Sequence, residues 1–535
     1  MRDRLGTNTR LAYMSKDNIV QLFPSRGESG SPRSVEEHVR PVVYTDDQPR
    51  EVLRNTLTVL GDCNDPPVMF RRGGQLVVLT FPGKGEAPQI ALQSKRRLFK
   101  LLIEAADWRK RTTRGDAPSS PPSRILDAIL EEPGEGIPEL ETVTSVPMFG
   151  KDFEFIHRPG YHAAQRLYFH DADDLGPTAS TRLETAQARQ LLLEAICDFP
   201  FAESADRAHA VALMLVPFIR TALGNAPTPL HLIESPSPGS GKGRLADLVS
   251  VIATGNACKP VTMSGCTGEN RKRLTSLMMT GAPIILLDNV PQHRILDDAA
   301  LASVLTTTQP ADRLLGANKI VSPTNHGVWV LTGNNVRTTL EIARRSVRIR
   351  IDAQTDRPWL RNGFLHGDLL NWARRQRPRL VQACLSLIQA WLDQGRPRWT
   401  GTPLGSFEEW SAVLGGILDV AGIPGFLQNT ESTYADADIE TEEWRVLTHL
   451  WWERFASAPV KASDLHELCL QNELLAEVLG FGSVRSQVSR LGRALNRHVD
   501  RFFGELQITQ ERGIARSSAR YILKRTRARG LSSTA

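Results

Sequence analysis

A lysine, an aspartate, an amide and a pair of arginines follow one another in this chain in settings suited to holding a nucleoside triphosphate. Lys242 lies in the run Glu234-Ser-Pro-Ser-Pro-Gly-Ser-Gly-Lys-Gly-Arg-Leu245, which follows the apolar Leu230-His-Leu-Ile233 and opens a helix-like stretch over 245–252. A strand, a glycine-rich turn and a helix start direct backbone N–H groups and the positive end of the helix at phosphates, and a lysine reaches the terminal ones. Gly239, Ser240, Gly241 and Gly243 are the expected cradle around Lys242. The G-x-x-x-x-G-K-[ST] pattern is met in part: Pro236 stands at the first glycine, and Gly243 replaces the hydroxyl that touches Mg²⁺.

The remaining groups stand farther along. Asp288 ends Pro283-Ile-Ile-Leu-Leu, and a fully buried parallel strand delivers such a carboxylate to its C-terminal edge, beside the loop. Asp288 is therefore the expected water-mediated Mg²⁺ ligand. Asn334 ends a second buried run, Gly327-Val-Trp-Val-Leu-Thr-Gly333, where an amide can orient water or meet the γ-phosphate. Arg344 and Arg345 precede the strand-like Val347-Arg-Ile-Arg-Ile351 and suit a finger that completes a neighbouring subunit's site, a contribution on the order of 10³–10⁵ in rate.

These groups need a framework of some size, and 535 residues allow roughly three or four domains. Hydrophobic content of 41% and charge of 23% fit a soluble globular protein. The most apolar long stretch, 208–223, is too short for a membrane span and contains Pro217 and Arg220. The charged first thirty residues carry no secretion signal, and six cysteines without a C-x-x-C pair fit reduced thiols in the cytoplasm.

In order, residues 1–40 read as a flexible leader and 41–180 as an α+β domain. Its signals are a hairpin around Gly73-Gly74, a helix capped by Ser94 with apolar positions Leu98, Leu101, Leu102, Ala105 and Trp108, and a loop over 112–123. Asp171, Asp173 and Asp174 could hold Mg²⁺ for nucleotidyl transfer, but a polar strand end is the commoner meaning of such a cluster. A helical connector (181–228) leads to the nucleotide-binding core (229–355). A helical lid (356–430) follows, with Arg374, Arg375, Arg377 and Arg379 expected on its surface and Trp391 and Trp410 in its core. The polar, acidic stretch 429–440 reads as a linker.

Residues 441–528 read helix, helix, helix, hairpin, the order of a winged helix, whose third helix lies in the major groove. Between Glu431 and Gly480 eleven acids face three bases, whereas from Phe481 onward twelve Lys/Arg face three acids, so the positive charge gathers on this helix and wing. Arg485, Arg490, Arg493 and Arg497 on the helix, and Arg512 and Arg516 in the wing, are the expected DNA contacts.

The segments Gly-Ser-Gly-Lys-Gly (239–243), Leu-Leu-Asp-Asn (286–289), Asp-Arg-Leu-Leu-Gly (312–316), Thr-Gly-Asn-Asn (332–335) and Ala-Arg-Arg (343–345) together resemble AAA+ ATPases of the superfamily-3 helicase type, found in phage, plasmid and integrated-element replication proteins and primase-helicases. The resemblance implies a P-loop α/β core that binds ATP and Mg²⁺, with Lys242 as Walker A lysine, Asp288 as Walker B aspartate, Asn334 as sensor amide and Arg345, or Arg344, as finger. It implies a hairpin over 313–324 whose tip, with Lys319, grips DNA in a central pore. It also implies a ring, usually a hexamer, and primase or other replication proteins as partners. Asn289 departs from the pattern, since many such enzymes carry there a glutamate that polarises water. The expectation is thus an ATP-dependent DNA helicase or origin-remodelling motor of a mobile element; the rival is a nucleotide-gated DNA-binding regulator with little hydrolysis.

Overall fold

The computed structural model describes residues 40–81, 88–171, 175, 181–290, 295–313, 320–437, 439–511 and 519–525. The chain divides into two compact units, Met1–Thr430 and Glu431–Ala535. The first is a mixed α/β unit built around a parallel sheet. No helix among the described residues is long and apolar enough to cross a membrane.

The N-terminal part of the first unit follows its local signals closely. Strands Met69–Arg72 and Gln75–Thr80 pair antiparallel through Gly73 and Gly74, both at positive φ as a two-residue hairpin requires. Ser94 caps helix Lys95–Ala105 by accepting from the Arg97 N–H. That helix stops before Trp108, which lies on strand Asp107–Thr112 and donates its indole N–H to the Leu102 carbonyl at 2.8 Å. The expected loop at 112–123 contains strand Gly115–Pro118, paired with the strand before it. Both differences have one cause: the parallel partner Val42–Tyr44, far away in sequence, draws this segment into a sheet.

The core begins with helix α1 (Ser204–Ile219), buried on nearly every side from Ala205 to Ile219. Strand β1 (Leu230–Ser235), helix α2 (Lys242–Thr254), helix α3 (Thr267–Met279), strand β2 (Ile284–Val290), helix α4 (Ala299–Thr306), strand β3 (Val328–Asn334) and strand β4 (Ser346–Arg350) follow. The four strands run parallel in the order β2-β3-β1-β4, and Val261 adds a single parallel bridge to Leu287 on the outer side of β2. All six residues of β1 are buried, which is why these strands read as continuous apolar runs. One apolar layer joins Leu230, Leu232, Leu287, Trp329 and Leu331 to Leu274 of α3 and Leu301 of α4. Helix α5 (Leu369–Asp393) packs against α2, and helix α6 (Glu408–Ala421) packs against α5 and α1. Within α5, Arg377 is buried rather than on the surface, donating to the carbonyls of Ile252 at 3.2 Å and Ser145 at 3.1 Å.

Three neutral histidines are locked into this unit. His209 bridges the Arg348 carbonyl at Nδ1 (2.7 Å) and accepts the Leu427 N–H at Nε2 (2.9 Å), an arrangement that only a singly protonated ring can make. Burial pushes His209 down to about 4, His231 to about 3 and His326 to about 4. Burial has the opposite effect on the Asp206 carboxyl, raising it to about 6. Between pH 6.5 and 4 the unfolded chain therefore binds a net of about two more protons than the native one, so stability falls with acidification, by roughly 2–3 kcal/mol per pH unit. Thermal melting across that range is expected to drop steeply; a flat profile would contradict the buried neutral rings.

In the second unit the expected linker is helical. Residues Thr430–Ala437 form one helix, and α7 (Ile439–Phe455) starts two residues earlier than the sequence suggested; Glu431 in the first turn of the former complements its dipole. Then come β5 (Val460–Lys461), α8 (Ala462–Gln471), a short turn of helix at Ala476–Leu479, α9 (Val484–Arg497), β6 (Leu506–Gln510) and β7 (Arg520–Arg525). Strand β7 lies between β5 and β6, all antiparallel, with Phe502–Phe503 on the outer edge of β6. Trp444, Leu447 and Trp451 of α7 supply one stripe of a core that includes Leu465, Leu491, Leu495, Ile508 and Leu523.

Candidate active site

The loop after β1 is shaped by two glycines in the left-handed region, Gly239 at φ 75° and Gly241 at φ 102°. Gly241 also caps α2 and offers no side-chain acceptor, so the first-turn N–H groups are not engaged by a capping side chain. A β-carbon at Gly239 would come within 3.0 Å of Trp359, and one at Gly241 within 3.2 Å of Phe199. Two aromatic rings thus flank the loop, and Trp359 is itself more than half exposed.

Lys242, the first residue of α2, points back across the loop. Its Nζ donates to Asn334 Oδ1 at 2.6 Å, Ser240 Oγ at 3.3 Å and the Ser237 carbonyl at 3.4 Å. Partial burial lowers the ammonium's pKa, while Asp288 and Glu234 pull it back up. Glu234, at the end of β1, is buried and paired with Arg350 of β4 at 3.0 Å.

At the edge of β2 the pairing with β3 shifts register between Leu287 and Val290, which puts Asp288 and Asn289 opposite Thr332. The Thr332 hydroxyl donates to Asp288 Oδ1 and accepts the Asn289 N–H at 3.2 Å. Such bulges re-aim side chains at sheet edges. Asn289 takes φ 58°, a conformation that asparagine tolerates far better than most residues. The strand order thus brings Lys242, Asn334 and Asp288 to one edge, with Asp288 and Asn334 both at the C-terminal ends of neighbouring strands. Gly243, the second residue of α2, adds no side chain to the site.

Thr332, Glu234 and Trp359 were not singled out from the sequence. Thr332 lies within the Thr-Gly-Asn-Asn segment, two residues before Asn334 on the same strand face, and that alternation was a usable signal. Nothing local marks Trp359, which reaches the loop from the segment after β4.

Other expected groups stand elsewhere. Arg344 and Arg345 follow a short helix, Leu340–Ala343; Arg344 is exposed, whereas Arg345 is tied to the Glu341 carbonyl at 2.7 Å and to its carboxylate at 3.5 Å. Asp171 accepts the Leu175 N–H at 2.7 Å; Asp173 and Asp174 lie outside the described residues. Short strands Asp312–Arg313 and Ile320–Val321 pair as the base of a hairpin, anchored by Asp312 to Arg271 of α3 at 2.7 Å. Its tip, with Lys319, lies outside the described residues. Among the described residues no cluster of three or more His, Cys, Asp or Glu could hold a metal alone, so a metal here would lean on Asp288, water and phosphate oxygens.

In the second unit α9 presents Arg485, Arg493 and Arg497 to solvent and buries Leu491, Ala494 and Leu495. Arg490 differs: it is half-buried, packs on Gly480 and Gly482, and donates to the Phe481 carbonyl at 2.7 Å. It clamps the turn before the helix and is not a free contact. Arg512 and Arg516 lie outside the described residues.

No protein-family profile and no curated protein matches the chain. Among solved structures it is similar to the apo A form of the NrS-1 C-terminal region, with a TM-score of 0.37 at 11% identity over 85% of this chain and 96% of that one. A second structure of that region gives 0.34 at 12% identity over the same shares. The JCV helicase gives 0.22 at 14% identity over 47% and 70%. Likenesses of this degree carry no weight for the chemistry, which stands on the residues described above.

Proposed function

We propose that the chain is an ATP-driven motor on DNA, a helicase or origin-remodelling protein of the AAA+ superfamily-3 type that serves a mobile element and works as a ring, most simply a hexamer. The observation that carries this reading is the chain of contacts from Lys242 through Asn334 on β3, with Thr332 on the same strand holding Asp288 of β2. In this arrangement Lys242 exchanges the Asn334 oxygen for terminal phosphate oxygens, which frees the amide to orient a water. A Mg²⁺ ion bound with the nucleotide supplies charge neutralisation, and Asp288, held by Thr332, is the residue that would keep it in place through water. Arg344, exposed after its short helix, is the residue that would complete the adjoining copy's site in a closed ring of head-to-tail contacts.

The second unit is then a winged helix with α9 as its groove-reading helix, and α5 and α6 form the lid of the core. Arg485→Ala, Arg493→Ala and Arg497→Ala are each expected to weaken duplex binding across all sequences and to reduce the salt slope by about one. Arg490→Ala should instead lower the melting temperature of this unit. Fluorescence anisotropy at several salt concentrations, with melting curves on the same variants, separates the two outcomes.

Asn289 favours the alternative, a nucleotide-gated DNA-binding regulator, because an amide cannot accept a proton from the attacking water. Unwinding of a forked duplex by the purified chain with ATP and magnesium decides between them. Strand separation supports the motor; tight DNA binding without it supports the regulator; and no affinity for ATP ends both.

A further inference from the structure

Two aromatic side chains from distant parts of the first unit meet at the glycine-rich loop after β1. Phe199 follows helix Thr185–Ala195, and its ring stands 3.2 Å from where a β-carbon on Gly241 would lie. Trp359 belongs to a single 3-10 turn, Pro358–Leu360, in the segment after β4. Its β-carbon is 3.0 Å, and its ring carbon Cε3 3.3 Å, from the corresponding point on Gly239. A side chain on either glycine would press against a ring, so loop and aromatics are packed together. Lys242 follows Gly241 directly.

Trp359 is anchored yet left open. Asp198, next to Phe199 in the chain, accepts the N–H groups of Leu365 at 3.1 Å and His366 at 3.3 Å. Arg361, two residues after Trp359, donates to the Asp198 carbonyl at 3.0 Å. The N–H groups of Leu360 and Arg361 close the turn on the carbonyls of Arg357 and Pro358. The backbone around the tryptophan is thus tied to the segment that carries Phe199. Of the ten tryptophans, all among the described residues, Trp359 alone is exposed, at 56%. Burying so large a ring is strongly favourable, so an indole left open on an anchored backbone is a face without its partner.

Resting on the reading of Lys242 as the lysine of a triphosphate site, we propose that Trp359 is the platform on which the base of the bound nucleotide stacks. Phosphates gathered by the loop leave sugar and base to extend past it, and the indole beside Gly239 offers the base an apolar face. Stacking uses the π-face that every base carries, so this contact sets affinity rather than base identity.

Equilibrium binding of ATP and of inorganic tripolyphosphate, each with magnesium, to the full chain is the test, because the second ligand has phosphates and no base. The parent should bind ATP about 10–100-fold more tightly than tripolyphosphate, the range that one stacked base supplies. Trp359→Ala should erase that preference by weakening ATP alone, with tripolyphosphate within about twofold of the parent. Trp359→Phe, which keeps a ring, should bring ATP back to within about fivefold of the parent. The triphosphate of 2-aminopurine riboside, whose emission stacking quenches, should lose most of its emission at saturation on the parent and keep it on Trp359→Ala. Equal losses of both ligands in Trp359→Ala would reduce the tryptophan to a prop for the loop and overturn the proposal, as would an ATP preference that survives the substitution. A parent chain that binds both ligands equally removes the platform alone; one that binds neither removes the triphosphate site and the platform with it.

Discussion

With Lys242 replaced by alanine, ATP turnover is expected to fall about 10²–10³-fold, the loss typical of removing one preorganised donor from a developing negative charge. The argument rests on where the ammonium sits. It is half-buried, so its field is poorly screened, and it is already positioned by Ser240 and Asn334 without spending ordering entropy on arrival of the nucleotide. Lys242→Arg should not rescue the activity, because the fork of a guanidinium is larger and differently shaped than the point charge these acceptors surround. DNA binding by the second unit should be unchanged, since that unit has its own core. Steady-state hydrolysis and duplex binding on the same preparation test both halves; turnover within about tenfold of the parent would mean that this loop is not the catalytic phosphate site.

The second large effect concerns Arg344. An arginine finger contributes on the order of 10³–10⁵ in rate, so Arg344→Ala should reduce hydrolysis by at least about 10³-fold while leaving ATP affinity near its parent value. Arg345→Ala should do less, because that guanidinium is held within its own subunit by Glu341. If the finger acts across the interface, mixing Arg344→Ala with Lys242→Ala subunits restores activity, since roughly one quarter of random junctions in a ring pair an intact lysine with an intact arginine. Mixed-subunit hydrolysis is the measurement. No recovery, with a particle that stays monomeric in ATP and DNA, would remove the shared site and the ring together.

The residue types settled a good deal before any fold was known. Continuous apolar runs ending in Asp288 and Asn334, and a glycine-rich turn ahead of Lys242, are local statements, because buried parallel strands need such runs and a phosphate loop needs φ values that glycine permits. The hairpin at Gly73-Gly74, the cap at Ser94 and the tryptophan stripe of α7 were legible for the same reason: each depends on neighbours a few positions away.

Tertiary structure decided what depends on distant partners. It set which arginine is free, leaving Arg344 exposed while Glu341 holds Arg345 and the turn before α9 occupies Arg490. It buried Arg377 between two carbonyls from elements more than a hundred residues distant in sequence. It drew Trp359 onto the glycine-rich loop after β1 and placed Thr332 opposite a bulge in β2, where Asn289 takes a left-handed conformation that suits an amide and disfavours a glutamate. Sequence spacing carries the period of a helix or strand but not the identity of the segment that crosses it. A charged side chain's role is fixed by the carbonyl or carboxylate it meets there.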